Sequence, residues 1–336
     1  MKLNLEQVKK ITTGAVNIKE ENGVFSFDRF TEEQKEYYKS NDNFYSKAHA
    51  TSGVKLSFKT DSKNLFLKIK TSDGCSRNYF SLDVFVNNSV NGYIDNFSDV
   101  VLEKDYTKQN FTFGEYSKNF DLGDGEKTVC IHLPWSARTI VEEISIDDNA
   151  FIDGVKPKKK LLAFGDSITQ GYDALRPSNR YVARLAASLN AEEFNKGIGA
   201  EKFSPGLAKL KDSFVPDYIT VAYGTNDWNG IDRETFKTNC KAFYTNLSNN
   251  YPDSKIFAIT PIWRKDCGEH REFGAFETIE QYIREITGEF KNVTVVSGYG
   301  FVPESENYFA DLILHPNDKG FEFYENNLYN EIIANI

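Results

Sequence analysis

Four short segments of this chain carry residue types that acyl transfer needs. The first is Gly165-Asp-Ser-Ile-Thr-Gln-Gly171, which follows the apolar run Leu161-Leu-Ala-Phe164. Serine is a weak nucleophile until a base takes its proton, and a tight turn after a strand exposes its hydroxyl. The flanking glycines let a substrate approach the backbone closely. The second and third segments are Asn195-Lys-Gly-Ile-Gly-Ala200 and Gly224-Thr-Asn-Asp-Trp228. An asparagine side chain or a backbone N–H in a glycine-rich turn can donate to a developing oxyanion. The fourth is Asp311-Leu-Ile-Leu-His-Pro-Asn-Asp318, which puts a carboxylate and an imidazole just ahead of a helical pattern. That is where a general base would sit at the mouth of a sheet.

Other chemistries fit these residues less well. A phosphate-binding loop needs G-x-x-x-x-G-K-[S/T], and Gly165 to Gly171 has neither the spacing nor the lysine. Cys267-Gly-Glu-His270 has one metal-like spacing without a second pair, so no metal site is expected. Of the four histidines, His132 alternates with apolar neighbours as a structural residue would, and His49 has no nearby carboxylate in sequence. His315 is the one placed for catalysis.

The elements that must position these segments alternate between strand and helix. Leu161–Phe164, Asp217–Tyr223, Lys255–Thr260 and Val293–Val296 read as buried strands. Helical stripes run between them: Tyr181, Leu185 and Leu189 after Ser178 as N-cap; Phe236 to Leu247; Phe276 to Phe290; and Phe321 to Ile332. This alternation predicts a parallel sheet covered on both faces, with chemistry at the carboxyl ends of its strands. The chain before it differs. Val54–Thr60, Asn64–Lys70, Phe80–Val86 and Thr128–Leu133 alternate with period two and are separated by turn signals, as in an antiparallel β-sandwich. Only one of the 9 prolines, Pro134, precedes residue 155, and Asp153-Gly-Val-Lys-Pro-Lys-Lys-Lys160 reads as a linker. Two domains are expected, 1–155 and 156–336.

Composition narrows the partners. The net charge is −9, with 19 basic and 24 acidic residues before position 156, so neither half is a basic arm. Nucleic acid and anionic membrane surfaces both ask for a clustered positive face, and neither partner is expected. Four widely spaced cysteines make no disulfide framework. The first 22 residues mix lysine and glutamate without an apolar stretch, and no run is apolar enough to span a bilayer. A cytoplasmic protein is expected. Nothing in the sequence points to an oligomeric state.

Together, in this order and at these strand ends, Gly165-Asp-Ser167, the turn ending at Ala200, Gly224-Thr-Asn226-Asp and Asp311…His315-Pro-Asn resemble the blocks of the SGNH (GDSL) hydrolase family. The resemblance covers about residues 158–336. The β-domain resembles, less specifically, the jelly-roll-like sandwich ahead of the esterase domain in carbohydrate esterase family 2. The resemblance implies a flavodoxin-like three-layer α/β domain that works without metal or cofactor. It implies Ser167 as nucleophile and His315 as base, and Ser167, Ala200 and Asn226 as oxyanion donors. Two departures stand out. Ala200 occupies a position that is glycine in the family, where a positive φ would cost alanine about 1 kcal/mol or more. Leu312 stands where the family has its aspartate, three residues before the histidine, so either Asp311 or a backbone carbonyl orients His315. Trp228 and Trp263 follow strands and could wall an acyl or sugar site or lie in the core. The function expected is removal of acetyl or another short acyl group from a carbohydrate or glycoside through an acyl-enzyme. The alternatives are a catalytically impaired carbohydrate-binding protein, and a lipid esterase or thioesterase.

Overall fold

The computed structural model describes all residues, Met1–Ile336. Five parallel strands form the sheet in the second half, the four expected and an edge strand, β2, that was not: β1 (Lys159–Gly165), β2 (Ala191–Asn195), β3 (Tyr218–Ala222), β4 (Lys255–Ile259) and β5 (Val293–Val296). Their order is β2-β1-β3-β4-β5, the doubly wound arrangement with its switch point beside the first strand. The central strands read as unbroken apolar runs because helices cover both faces: Leu161 to Gly165 and Tyr218 to Val221 are buried. All four residues of the last helical stripe, Phe321, Tyr324, Leu328 and Ile332, are buried in the helix Asp318–Ala334.

Two antiparallel sheets precede it. In one, Lys55–Thr60, Lys127–His132, Ser81–Val86 and Ser89–Asp95 are neighbours in that order. In the other, Ala137–Ile146 lies between Val24–Asp28 and Asn64–Asp73. Their inward residues, among them Leu56, Phe58, Leu67, Ile69, Val84 and Ile131, make one core. Burial alternates along Asn64–Asp73 as period-two strands require. Strand pairing changes from antiparallel at Asp153–Gly154 to parallel at Lys159.

The first half also contributes helices that its strand pattern did not announce, Glu32–Tyr38 and Asp42–Ala48. Phe30, Tyr38 and Ala48 belong to the core on one face of the parallel sheet, and Tyr79, Phe97, Tyr106 and Trp135 to the core on the other. Both cores that flank the parallel sheet therefore include residues of the first half, whereas the core of the antiparallel sheets is its own. No helix is long and apolar enough to cross a membrane.

One local expectation fails for this reason. Ser178 does not cap the helix Tyr181–Ser188, whose first turn has no side-chain cap. Residues Pro177–Asn179 form a 3₁₀ turn instead. The Ser178 N–H and hydroxyl both donate to Asp83 Oδ2, at 3.1 and 2.6 Å. A buried carboxylate from the antiparallel half competes successfully for the serine, because leaving it unpaired costs more than leaving a cap unmade.

Candidate active site

Ser167 is the first residue of a single helical turn, Ser167–Gln170, directly after β1. Asp166 caps that turn by accepting from the Ile168 N–H at 3.0 Å. Gly165 permits the abrupt bend. It has φ +158, and a Cβ there would lie 2.1 Å from Thr169 Oγ1 and 2.8 Å from the Ala222 carbonyl. The bend leaves Ser167 only 4% exposed, with its hydroxyl directed at the C-terminal turn.

In that turn, His315 Nε2 lies 2.8 Å from Ser167 Oγ and His315 Nδ1 lies 2.7 Å from Asp311 Oδ2. The other oxygen, Asp311 Oδ1, accepts from the backbone N–H groups of Ile313, Leu314 and His315 at 3.0, 2.8 and 3.0 Å. The residue that separates this chain from the family spacing makes this possible: Leu312 has φ 63, left-handed, and curls the chain so that one carboxylate serves both the turn and the imidazole. Beyond it, Asn317 caps the last helix by accepting from Lys319 and Gly320, which anchors the segment holding His315.

The charges are consistent with this geometry. Burial alone raises the Asp311 pKa, but the His315 hydrogen bond and charge and the backbone donors outweigh it and hold the carboxyl well below the usual carboxylate range. Burial disfavours the imidazolium of His315, yet the Asp311 hydrogen bond and the charges of Asp173 and Asp311 leave its pKa raised above the ordinary value. An ionised Asp311 can only accept, so Nδ1 carries the imidazole proton and Nε2 accepts from the Ser167 hydroxyl. Serine, imidazole and carboxylate thus stand in the order that proton abstraction needs.

The second and third segments lie against the Ser167 turn. Asn195 Nδ2 donates to the Thr169 carbonyl at 2.7 Å, and the Gly199 N–H donates to Gln170 Oε1 at 2.9 Å. Ala200 is exposed and has φ 70, so it takes the left-handed conformation that glycine favours. Asn226 is half-buried, and its Nδ2 donates to the Glu201 carbonyl at 3.1 Å. The antiparallel half fastens this loop from outside: Arg29 Nη1 donates to the Asn195 and Gly197 carbonyls at 2.9 and 2.8 Å, and Lys47 Nζ to the Gly199 carbonyl at 2.7 Å. An open pocket of about 470 Å³ begins at Ala200 and runs between Tyr37, Phe44 and Phe203.

The tryptophans separate. Trp228 is a core ring and not a wall of the site: it is 1% exposed, and its Nε1 donates to the Gly274 carbonyl at 2.8 Å. The Arg271 guanidinium covers its face at 4.1 Å. The short helix Thr225–Trp228 rotates the ring inward while leaving Asn226 on the open side. Trp263 is half-buried and packs on Phe309, centroids 5.2 Å apart, two residues ahead of Asp311.

Three residues near His315 had no motif to mark them. Tyr172 stacks on the imidazole at 5.4 Å, Asp173 Oδ2 lies 3.4 Å from Nδ1, and Arg77 of the antiparallel half pairs with Asp173. Asp173, Asp311 and His315 offer ligand atoms within 4.8 Å of one another. A cation there would have to take the place of the Nδ1 proton on Asp311 Oδ2 and compete with Arg77 Nη2 for Asp173 Oδ2.

Residues 163–323 match the GDSL-like lipase/acylhydrolase family and form a domain of that kind. No curated protein sequence matches the chain. Among solved structures, the fold is similar to the salicylyl-acyltransferase SsfX3 from a tetracycline biosynthetic pathway, with TM-score 0.78, 19% identity, and 96% of this chain and 94% of that one covered. It is also similar to a family two carbohydrate esterase from Clostridium thermocellum, in complex with cellohexaose, at TM-score 0.64 and 17% identity, covering 93% and 98% of the two chains. The corresponding esterase from Cellvibrio japonicus gives TM-score 0.64 and 17% identity, with 98% and 96% covered. The family match supports a carboxylic-ester hydrolase.

Proposed function

We propose that the protein is a serine carboxyl-ester hydrolase that removes acetyl or another short acyl group from a carbohydrate or glycoside. The observation that carries this reading is the relay of 2.8 Å from Ser167 Oγ to His315 Nε2 and 2.7 Å from His315 Nδ1 to Asp311. His315 takes the hydroxyl proton as Ser167 Oγ attacks the ester carbonyl. The imidazolium that forms is stabilised by Asp311, and it returns the proton to the departing alcohol oxygen. The acyl-enzyme is then cleaved by water, which His315 activates in the same way. The Ser167 and Ala200 N–H groups and the Asn226 side chain are the donors assigned to the tetrahedral oxyanion.

The carbohydrate part of the reading draws on the likeness to family two carbohydrate esterases, one of them in complex with cellohexaose. The aromatic-lined pocket at Ala200 supports it, since tyrosine and phenylalanine faces suit sugar rings. The first experiment compares p-nitrophenyl acetate hydrolysis by the wild type and by Ser167→Ala. Loss of activity in a folded Ser167→Ala protein is expected, and near-wild-type turnover would overturn the reading. A panel of acetylated sugars assayed for released acetate then defines the acceptor.

A further inference from the structure

His315 Nδ1 faces two carboxylates. Asp311 is the nearer, but Asp173 Oδ2 is only 3.4 Å away and its side chain is fully buried. Asp173 is not there by accident of packing. Arg77 Nε and Nη2 grip its two oxygens at 2.7 and 2.9 Å, and the Tyr79 hydroxyl donates to Oδ1 at 2.7 Å. Its backbone is left-handed at φ 73, an uncommon conformation for a residue other than glycine. The Tyr106 hydroxyl pins its carbonyl at 2.6 Å. Arg77, Tyr79 and Tyr106 all come from the antiparallel half, 96, 94 and 67 residues from Asp173 in sequence. The Arg77 guanidinium also lies 5.4 Å from the Tyr172 ring, which stacks on the His315 imidazole and also meets Trp135.

We propose that Asp173, clamped by Arg77 and Tyr79, is a positioning residue whose carboxylate charge acts on His315 Nδ1 beside that of Asp311, so that the antiparallel half sets the basicity of the general base. This rests on the reading of His315 as that base. A bidentate arginine holds a carboxylate in one orientation, so the Asp173 charge stays at a fixed 3.4 Å from Nδ1 while the Asp311 hydrogen bond sets the tautomer. The charges facing His315 act in opposite senses. Asp311 from its own turn and Asp173 from the loop after Ser167 favour the imidazolium, and Arg77 from the antiparallel half opposes it. Asp166, at the end of β1, is buried on the serine side, where burial pushes its pKa up to about 6. The clamp therefore works as a paired charge: Arg77 offsets the carboxylate that Asp173 brings to the imidazole.

The test reads the acid limb of kcat/KM against pH on one short-chain ester. Asp173→Asn keeps the shape and tolerates a left-handed backbone, and its loss of charge should move the limb down by about one pH unit. Arg77→Met leaves the carboxylate uncompensated and should move the limb up by a similar amount, while Arg77→Lys should return it toward wild type. A packing defect would not move the limb in opposite directions. The same shifts should appear in the His315 imidazole titration followed by NMR in the Ser167→Ala background. That readout needs no activity, so it separates a failed clamp from a failed assignment of Ser167. Tyr79→Phe probes the clamp with the smallest change, and a small upward shift is expected should both charge variants lose their fold. An unmoved limb and an unmoved titration in folded variants would overturn the proposal.

Discussion

On the His315 side of Ser167, each polar atom of the relay has its partner within the protein. Asp311 accepts three backbone N–H groups as well as the imidazole, and Asp173 accepts Arg77 and Tyr79. On the Ala200 side the arrangement is looser. Ala200 is exposed and left-handed, and Asn226 spends its amide on the Glu201 carbonyl. In the proposed reaction the base must start each half in one tautomer, and the surroundings of His315 are over-determined in that sense. The proposed oxyanion donors would be needed only once the carbonyl oxygen has moved and gained charge, and Ala200 and Asn226 are the less enclosed residues. The difference is one of timing: rigidity is placed where a proton is stored, and room is left where charge will develop.

The comparison breaks most severely at Asp311. Asparagine at this position can still accept from the three turn N–H groups, but its amide would present a donor to Nδ1. The imidazole would then adopt the other tautomer, with N–H at Nε2 facing Ser167. Asp311→Asn should lower kcat/KM by about 10³–10⁴ with the fold intact, as loss of the orienting carboxylate does in serine hydrolases. A loss smaller than tenfold on one acetyl ester would mean that Asp311 is not what orients the base.

The oxyanion side should give a smaller effect. Asn226→Ala removes one donor of several, and should lower kcat by about 10²–10³ with little change in KM. The amide already has a partner in the ground state, the Glu201 carbonyl, so the variant also frees that loop. A rise in KM alone would place Asn226 in ground-state binding instead.

The legibility of this molecule follows the same division. The central strands of the parallel sheet are apolar runs, whereas β2 carries Glu192 and Glu193 and lacks that signal, and Ser167, Asn226 and His315 stand after strands or before a helix, where short-range pattern marks them. Asp311 was visible as a carboxylate near the histidine, but its part in the turn depends on the left-handed backbone of Leu312, which no pattern signals. Wall and core were both open to Trp228 because following a strand says nothing about which side of a one-turn helix a ring takes, and the core is where it lies. Ser178 looked like a cap because Asp83, its partner, lies 95 residues away. Arg77 and Asp173 were invisible for that reason too: they are 96 residues apart and meet only after both halves have folded. Local chemistry can be read along the chain, whereas charge pairing between halves cannot.

The smallest effect tests whether the loose side carries a cost. Ala200 holds φ 70, and an L-residue with a Cβ pays roughly 1–2 kcal/mol for that conformation. Glycine would remove the strain but add unfolded-state freedom worth roughly 0.5–1 kcal/mol, so Ala200→Gly should stabilise the protein by at most about 1.5 kcal/mol. The methyl group is exposed, so little packing is lost with it. The donor at this position is the backbone N–H, which glycine retains, so kcat should change far less than for Asn226→Ala. A denaturant midpoint that rises or stays level, with turnover preserved, fits a strained but serviceable alanine. A clear fall in the midpoint would show that the methyl is held by contacts that offset its backbone. A fall in kcat at unchanged stability would instead mean that the strained alanine fixes the direction of its N–H, which the more mobile glycine lets wander.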